Sequence, residues 1–214
     1  MLIVNQLKNI ENLKSFSYFD LNTLSQIVEI SKNSLYSNIN RWLKQDIIIQ
    51  LKKGLYVTKS FFDLEFDKDN YLAFIANKLR EPSYLSTEYV LQNYNILTEA
   101  VYGITSITLK TPRNYSNKLG YYIYRNVKTD LFYGYNIVQK GKYKIKIATK
   151  AKALFDYLYL KTYRTPVINN ELIESFRLNL DEFSNKDFKE FSIYCQRTNI
   201  KKYLNLTNIL KDTL

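Results

Sequence analysis

The spacing of apolar residues in the first quarter of the chain predicts two helices. Apolar side chains recur at helical intervals from Leu21 to Val28, and Asp20 stands just before them, where its carboxylate can cap the first turn. A short turn ending at Ser31 follows. Because serine is a favoured N-cap residue, a second helix is expected to begin there and to run to about Gln45.

The second predicted helix has two faces of different character. Its apolar face consists of Leu35, Ile39, Trp42 and Leu43, at positions i, i+4, i+7 and i+8. The opposite face holds polar and basic side chains of the kinds that bond to base edges and phosphates in the major groove of DNA. The candidate DNA-binding residues of this helix, with Lys32 and Tyr36 at the margins of the face, are Lys32, Asn33, Ser34, Tyr36, Ser37, Asn40, Arg41 and Lys44.

A β-hairpin is predicted directly after this helix. Two strand-forming runs, 47–51 and 55–58, flank a turn at Gly54. Two helices followed by such a hairpin predict a winged helix-turn-helix, a module that inserts one helix into a groove of DNA. Lys52 and Lys53 stand at the tip of the predicted wing and are the candidate contacts to the phosphate backbone.

The charge of this stretch bears on what the module binds. Residues 31–59 carry six basic side chains and one acidic side chain, a net charge of +5. A basic patch in a helix-turn-helix is the expected electrostatic footprint of a DNA-binding protein, so DNA is favoured. A winged helix used only for contacts with other proteins is the alternative.

The patterns in the rest of the chain predict an α+β fold with a second, mixed α/β domain. An acidic and aromatic run over 61–69 marks the boundary, so the predicted domains are residues 1–65 and 66–214. A first helix over 2–14 would complete the core of the first domain. The elements predicted for the second domain are a helix over 70–80 stopped by Pro82, a helix capped by Ser86, a strand over 104–111 paired with 121–125, a strand pair over 135–138 and 143–147, a helix from Thr149, a helix over 168–178, and helices capped by Ser184 and Thr198.

Composition excludes several classes of site. The chain of 214 residues has no histidine and one cysteine, so it has no Ser-His-Asp triad, Cys-His pair, His/Cys zinc site or intramolecular disulfide. It also lacks the glycine-rich phosphate-binding motifs. We therefore expect no enzyme activity, cofactor or metal. No signal peptide and no run of the roughly 18 apolar residues that a membrane span needs is present, so we expect a cytoplasmic protein with no membrane partner.

Five short motifs of the second domain, taken in order, resemble a known family. They are Tyr84–Leu91 (YLSTEYVL), Glu99–Thr108 (EAVYGITSIT), Gly120–Arg125 (GYYIYR), Leu131–Tyr135 (LFYGY) and Ile147–Asp156 (IATKAKALFD). In this order, behind a winged helix, they resemble the AbiEi-type antitoxins of abortive-infection, type IV toxin–antitoxin systems, over roughly residues 15–210. The chain departs from that pattern at Lys150-Ala151, where the family often has Pro-Glu.

The resemblance implies two roles. The amino-terminal winged helix would bind inverted repeats of double-stranded DNA in the promoter of its own operon and repress transcription. The carboxy-terminal domain would antagonise a nucleotidyltransferase toxin, for which a stable complex is not required. Palindromic repeats require either a dimer or monomers assembled on adjacent half-sites of the DNA.

The most basic part of the chain lies outside the predicted winged helix. Residues 110–152 carry eleven basic side chains against one acidic, a net +10 of the total +11. Lys140, Lys142, Lys144 and Lys146 alternate, so on one strand they would share a face. This segment is interpreted as a solvated sheet face, as an extension of the DNA contact, or as a surface for RNA or the toxin. The candidate residues are Lys110, Arg113, Lys118, Arg125, Lys140, Lys142, Lys144 and Lys146.

Two further hypotheses compete with the antitoxin. The first is a stand-alone winged-helix transcriptional regulator that responds to a ligand through its larger domain. The second is an enzyme acting on nucleic acid, which would require clustered carboxylates and a bound metal. A gene for a nucleotidyltransferase next to this one would favour the antitoxin.

Overall fold

The computed structural model describes residues 10–28 and 32–213, with residues 32, 33, 212 and 213 described by their backbone only. The fold is α+β, as the sequence predicts. The chain forms two compact units, one reaching Tyr71 and including Tyr115–Gly120, and the other comprising Leu72–Asn114 and Tyr121–Leu214. Residues 115–120 thus return to the first unit, a discontinuity that local sequence patterns do not reveal. The boundary at 65/66 stays a prediction.

Unit 1 contains three short strands and three helices among the described residues. They are β1 (Phe19–Asp20), α1 (Leu21–Val28), α2 (Lys32–Lys44), β2 (Ile48–Lys52), β3 (Leu55–Thr58) and α3 (Lys59–Leu64). The strands form an antiparallel sheet in the order β1-β3-β2. The turn at 29–31 and most of the helix predicted over 2–14 lie outside the described residues, which show two helical residues at 10–11 and a 3-10 turn over Asn12–Ser15.

The core of unit 1 confirms the apolar pattern of α1 and α2. Leu24 and Val28 of α1 pack with Leu35, Ile39 and Trp42 of α2 in one buried cluster. The sheet completes the cluster through Phe19, Ile48 and Tyr56. Burial of these faces fixes which side of α2 points away from the core.

Unit 2 is built around a six-stranded sheet. Its elements, with those that cross the division between the units included, are α4 (Lys68–Leu79), β4 (Ser83–Leu85), α5 (Glu88–Asn93), β5 (Ile104–Thr108), β6 (Arg113–Asn117), β7 (Gly120–Asn126), β8 (Tyr135–Lys140), β9 (Tyr143–Ala148), α6 (Lys150–Thr162), α7 (Asn170–Ser175), α8 (Asn185–Arg197) and α9 (Lys201–Thr213). Three of these elements, α4, β6 and β7, cross the division between the units. The strand order is β6-β7-β5-β4-β9-β8. Pairs β5–β7 and β4–β9 are parallel, whereas β4–β5 and β8–β9 are antiparallel.

Most predicted elements of unit 2 are confirmed. The pairing of 104–108 with 120–126 is present and parallel, because the chain makes the additional strand β6 between them. Thr149 caps α6 by accepting a hydrogen bond from the Lys152 amide, and Ser184 caps α8 in a capping box with Asp187.

Three predicted helix starts or lengths are wrong. Ser86 does not cap α5, because its hydroxyl points into the core and donates to Asp156 (2.7 Å), so that the N-cap position falls on Thr87. The helix predicted over 168–178 is reduced to α7, which ends at Ser175. Thr198 follows the end of α8, and α9 begins at Lys201.

Candidate nucleic-acid interface

Helix α2 of unit 1 is held by its apolar face. Leu35 and Ile39 are each 3% exposed, and Trp42 is completely buried. The buried ring of Trp42 lies in the same cluster as Leu24 of α1, so the two helices are fixed to one core. With three anchored positions over two turns, the opposite side of α2 is a surface whose orientation is set by packing.

The outward side of α2 carries the predicted polar residues. Tyr36, Ser37, Asn40 and Lys44 are exposed, as is Ser34, whereas Arg41 is half-buried. Tyr36 is 58% exposed, although its ring is large and apolar. The side chains of Lys32 and Asn33 lie outside the described residues. The described members of the predicted face therefore share one side of α2, with hydroxyl, amide, phenol, ammonium and guanidinium groups in reach of solvent.

Asn38 is a residue of α2 that the sequence pattern did not single out. It is buried (8% exposed), and its amide nitrogen donates to the carbonyl oxygen of Ser34 (2.8 Å). Its amide oxygen accepts a hydrogen bond from Arg41 Nη2 (2.5 Å). A polar residue three positions before an arginine is the only signal of this contact in the sequence. Asn38 therefore orients Arg41 from the buried margin of the polar face.

The hairpin after α2 has a tight tip. Lys52 pairs with Leu55 across the turn Lys53–Gly54, and a bulge lies between Gln50 and Lys52. Gly54 has φ +81°, a left-handed conformation that favours glycine at this position. Lys53 is exposed, and Lys52 is half-buried at the end of β2. The predicted lysine pair is thus split between the strand end and the turn.

Two ion pairs neutralise charged side chains that contribute to the net charge of residues 31–59. Asp46, the one acidic residue in 31–59, pairs with Lys118, whose ammonium lowers the pKa of the Asp46 carboxyl. Lys59 pairs with Asp63 of α3 (2.5 Å). Lys118 is therefore a neutralising partner of Asp46 in unit 1. Of the predicted DNA-binding cations, Lys44 and Lys53 are exposed and have no ion-pair partner among the described residues.

Two further contacts brace the elements beside α2. The side-chain amide of Asn117 donates to the carbonyl oxygen of Leu51 (2.9 Å), which covers a polar group at the edge of β2. Asp20 caps α1 by accepting a hydrogen bond from the Thr23 amide (2.8 Å), and this bond holds the pKa of the Asp20 carboxyl below its ordinary value. Both contacts stiffen the frame on which α2 and the hairpin stand.

The candidates around β5–β7 are spread over separate positions. Lys110 follows β5 and is exposed, Arg113 begins β6, and Arg125 lies near the end of β7, where it donates weakly to Asn114 (3.4 Å). Lys118 lies in the short connection between β6 and β7 and is engaged with Asp46. Among the described residues, Lys110, Lys118 and Arg125 form no hydrogen bond or ring contact with one another.

The prediction that four lysines share one strand face is wrong. Lys144 and Lys146 lie on β9 and share a face, opposite Gln139 and Ile137 of β8. Lys140 lies on β8 opposite Tyr143, and partners in register point to the same side of a sheet, so Lys140 lies on the other face. Lys142 is in the turn, with its ammonium over the ring of Tyr143. The turn reverses the strand, which breaks the alternation along the sequence.

A buried polar cluster in unit 2 was also missed. Lys152 and Asp156 of α6 are both completely buried, 2.7 Å apart. Asp156 accepts hydrogen bonds from Tyr84 (3.0 Å) and Ser86, and Lys152 also donates to the carbonyl oxygen of Leu131 (2.8 Å). Burial raises the pKa of Asp156, and the Lys152 ammonium opposes that shift. This cluster is sealed from solvent and stabilises the packing of α6.

No helix within the described residues combines the length and apolar character needed to cross a membrane. The chain was compared with models of protein families, of which none matches, and with curated proteins, among which no match was found.

Proposed function

We propose that unit 1 is a winged helix-turn-helix that binds double-stranded DNA. In this proposal α2 is the recognition helix and the β2–β3 hairpin is the wing. The observation that carries the proposal is the division of α2 into a buried apolar face and an exposed face of Ser37, Asn40 and Lys44. Such an exposed face beside a lysine-bearing hairpin offers base-edge and phosphate contacts together.

The roles of individual residues follow from their surroundings. Arg41, oriented by Asn38, and Asn40 are assigned to base edges, because guanidinium and amide groups form paired hydrogen bonds with guanine and adenine. Lys44 and Lys53 are exposed and are assigned to phosphates. Lys52, at the strand end, is assigned to the same backbone.

We further propose that the whole chain is a cytoplasmic antitoxin that represses its own operon and has no catalytic activity of its own. The support is the ordered set of motifs shared with AbiEi-type antitoxins, four of which lie on or beside strands of the sheet in unit 2 and one of which enters α6. The functional partner is a nucleotidyltransferase toxin, which the antitoxin antagonises without requiring a stable complex. Binding to inverted repeats assembles a dimer on DNA or places monomers on adjacent half-sites.

The experiment has two parts, both with the full chain because residues 115–120 belong to unit 1. Footprinting of the DNA upstream of the gene is expected to show a protected inverted repeat at moderate salt. Co-expression with the neighbouring toxin gene is expected to restore growth. A chain with Asn40→Ala and Arg41→Ala is expected to lose the footprint and to keep the rescue. An unprotected promoter overturns the repressor assignment, and failure of rescue by the wild-type chain overturns the antitoxin assignment.

A stand-alone, ligand-responsive regulator is the second candidate. Two adjoining cavities in unit 2, of about 450 and 350 Å³, favour it, since a ligand-controlled regulator requires such a site. This candidate predicts a footprint that changes when a ligand is added and no protection against the toxin. The co-expression experiment therefore separates the two functions.

A further inference from the structure

Two cavities of unit 2 lie side by side along the carboxy-terminal half of α6. The first, about 450 Å³, is lined by Tyr157, and the second, about 350 Å³, by Tyr159. Leu160 and Lys161 line both cavities, so the two adjoin at this turn of α6. Each volume falls within the range of small-molecule sites, about 300–1,000 Å³.

The second cavity is cationic. Lys128, Lys161 and Arg164 line it, and no carboxylate does. Within the described part of the chain, the charged groups of Lys128 and Arg164 have no ion-pair partner. Two unpaired cations that converge on one concave surface attract an anion strongly, and a phosphate group can accept several charge-assisted hydrogen bonds from them.

The end of α6 would normally oppose an anion at this place, because the last carbonyl oxygens of a helix are negative. The ammonium of Lys202 offsets the negative charge of these carbonyl oxygens. Its ammonium donates to the carbonyl oxygens of Thr162 (2.8 Å), Tyr163 (3.1 Å) and Thr165 (2.8 Å). The surroundings of the second cavity are therefore positive in spite of the helix terminus.

The first cavity has a different chemistry. Tyr102 is 86% exposed at its lining, and the buried ring of Tyr157 from α6, with the Lys161 ammonium 5.1 Å from its centre, also lines it. Two carboxylates line it together with two cations, Arg125 and Lys161, and Glu88 lies 3.6 Å from Lys161. Glu99 has no ion-pair partner among the described residues. Aromatic rings beside a carboxylate suit a heteroaromatic base whose N–H groups need an acceptor.

The backbone of the first cavity is strained at one position. Thr87 lines it with φ +55° and ψ −136°, a left-handed conformation that a β-branched residue rarely adopts. Strain of this kind concentrates at functional sites, where the surrounding structure maintains it. Thr87 is therefore a strained residue in the lining of the first cavity.

We propose that the two cavities form one binding site for a nucleoside phosphate. The phosphate lies between Lys128 and Arg164, and the base lies in the first cavity, near the rings of Tyr102 and Tyr157, with its N–H groups toward Glu99. The phosphate matches the cationic lining of the second cavity, and the base matches the aromatic and acidic groups of the first. This site belongs to unit 2 and is independent of the DNA-binding proposal for unit 1.

The proposal is tested by calorimetric titration of the full wild-type chain with AMP, GMP, CMP and UMP, and with inorganic phosphate. Saturable binding of at least one nucleotide is expected, with inorganic phosphate about tenfold weaker or more, because it cannot use the first cavity. Lys128→Gln combined with Arg164→Gln is expected to weaken nucleotide binding by about tenfold or more. Glu99→Gln is expected to change the order of preference among the four bases.

The matched control is Lys186→Gln combined with Lys189→Gln, which removes two exposed cations of α8 and gives the same net charge. It is expected to bind like the wild type, and far-UV circular dichroism checks that both double variants are folded. A 5′-phosphorylated trinucleotide of RNA identifies the source of the ligand: tighter binding than the mononucleotide indicates the end of an RNA chain, and weaker binding indicates a free nucleotide. Absence of saturable binding by all of these probes, or equal losses in both double variants, would overturn the proposal.

Discussion

Helices α2 and α6 place polar side chains in opposite environments, exposed to solvent on α2 and buried on α6. On α2 the residues Ser37, Asn40 and Lys44 face solvent, and buried apolar side chains on the opposite face pack into the core. On α6 an i, i+4 pair of opposite charge, Lys152 and Asp156, is completely buried. Polar groups at helical spacing thus form an exposed surface in one unit and a buried ion pair in the other.

The difference lies in what each polar group contacts. The ammonium of Lys152 lies within 6.0 Å of four aromatic ring centres, which include those of Tyr84 and Phe155, and donates to two oxygens. Its desolvation is offset by these partners. On α2 the polar groups of Ser37, Asn40 and Lys44 are exposed and therefore accessible to a partner molecule. An exposed polar face is therefore a better indication of a binding surface than the presence of polar residues at helical spacing.

Breaking the buried pair is expected to have the largest effect. Lys152→Met leaves the Asp156 carboxylate buried without its cation and is expected to lower the free energy of unfolding by about 3–5 kcal/mol, measured by urea denaturation. Lys189→Met, at an exposed site on α8, is the control and should change it little. Adding Asp156→Leu to Lys152→Met should recover part of the loss. A loss under about 1 kcal/mol in the single variant would contradict the role of the pair.

Removing Arg41 from α2 is expected to affect DNA binding more than stability, although it also removes the hydrogen bond to Asn38. Arg41→Ala is expected to weaken binding to the protected repeat by about 1–3 kcal/mol while changing binding to random DNA much less, because a base contact carries specificity. Fluorescence anisotropy with both DNA duplexes measures the two affinities. Lys189→Ala is the control. Equal weakening on both duplexes would show that Arg41 contacts phosphate only.

Asn38 is intermediate between the buried pair of α6 and the exposed residues of α2, since it is itself buried and orients Arg41. Asn38→Ala is expected to cost about 1 kcal/mol of stability through its lost hydrogen bonds and to weaken specific binding less than Arg41→Ala does. Asn38→Asp keeps the acceptor for Arg41 and should preserve more of the binding. If Asn38→Ala still reduces binding when Arg41 is already alanine, Asn38 does not act through Arg41.

The smallest effect is expected at the hairpin tip. Lys53→Ala removes one exposed cation and should weaken binding uniformly across DNA sequences, with the slope of log affinity against log salt reduced by about 1. Affinities measured at several salt concentrations test this. Lys59→Ala is the matched control, because Lys59 is already paired with Asp63. A loss of sequence preference in Lys53→Ala would assign the residue to a base edge.

Several local features were predictable because short-range rules decide them. The apolar spacing of α2, the caps at Thr149 and Ser184 and the hairpin around Gly54 each depend on neighbours within a few residues. The exposed polar face of α2 belongs to this group, since burying one side of a helix exposes the other. The alternation of Lys140 to Lys146 failed because a turn at Gly141 interrupts the strand, and alternation holds only within one strand.

The sequence by itself determined the α+β class, most of the helices and strands, and the division of α2 into apolar and polar sides. Only the tertiary structure decided that Lys152 and Asp156 are internal, that β5 and β7 run parallel, and that residues 115–120 belong to unit 1. Asn38, Ser86 and the paired cavities along α6 also required it. The physical reason is range: helix spacing, caps and turns involve residues close in the chain, whereas burial of a charge and the walls of a cavity depend on residues brought together from distant positions.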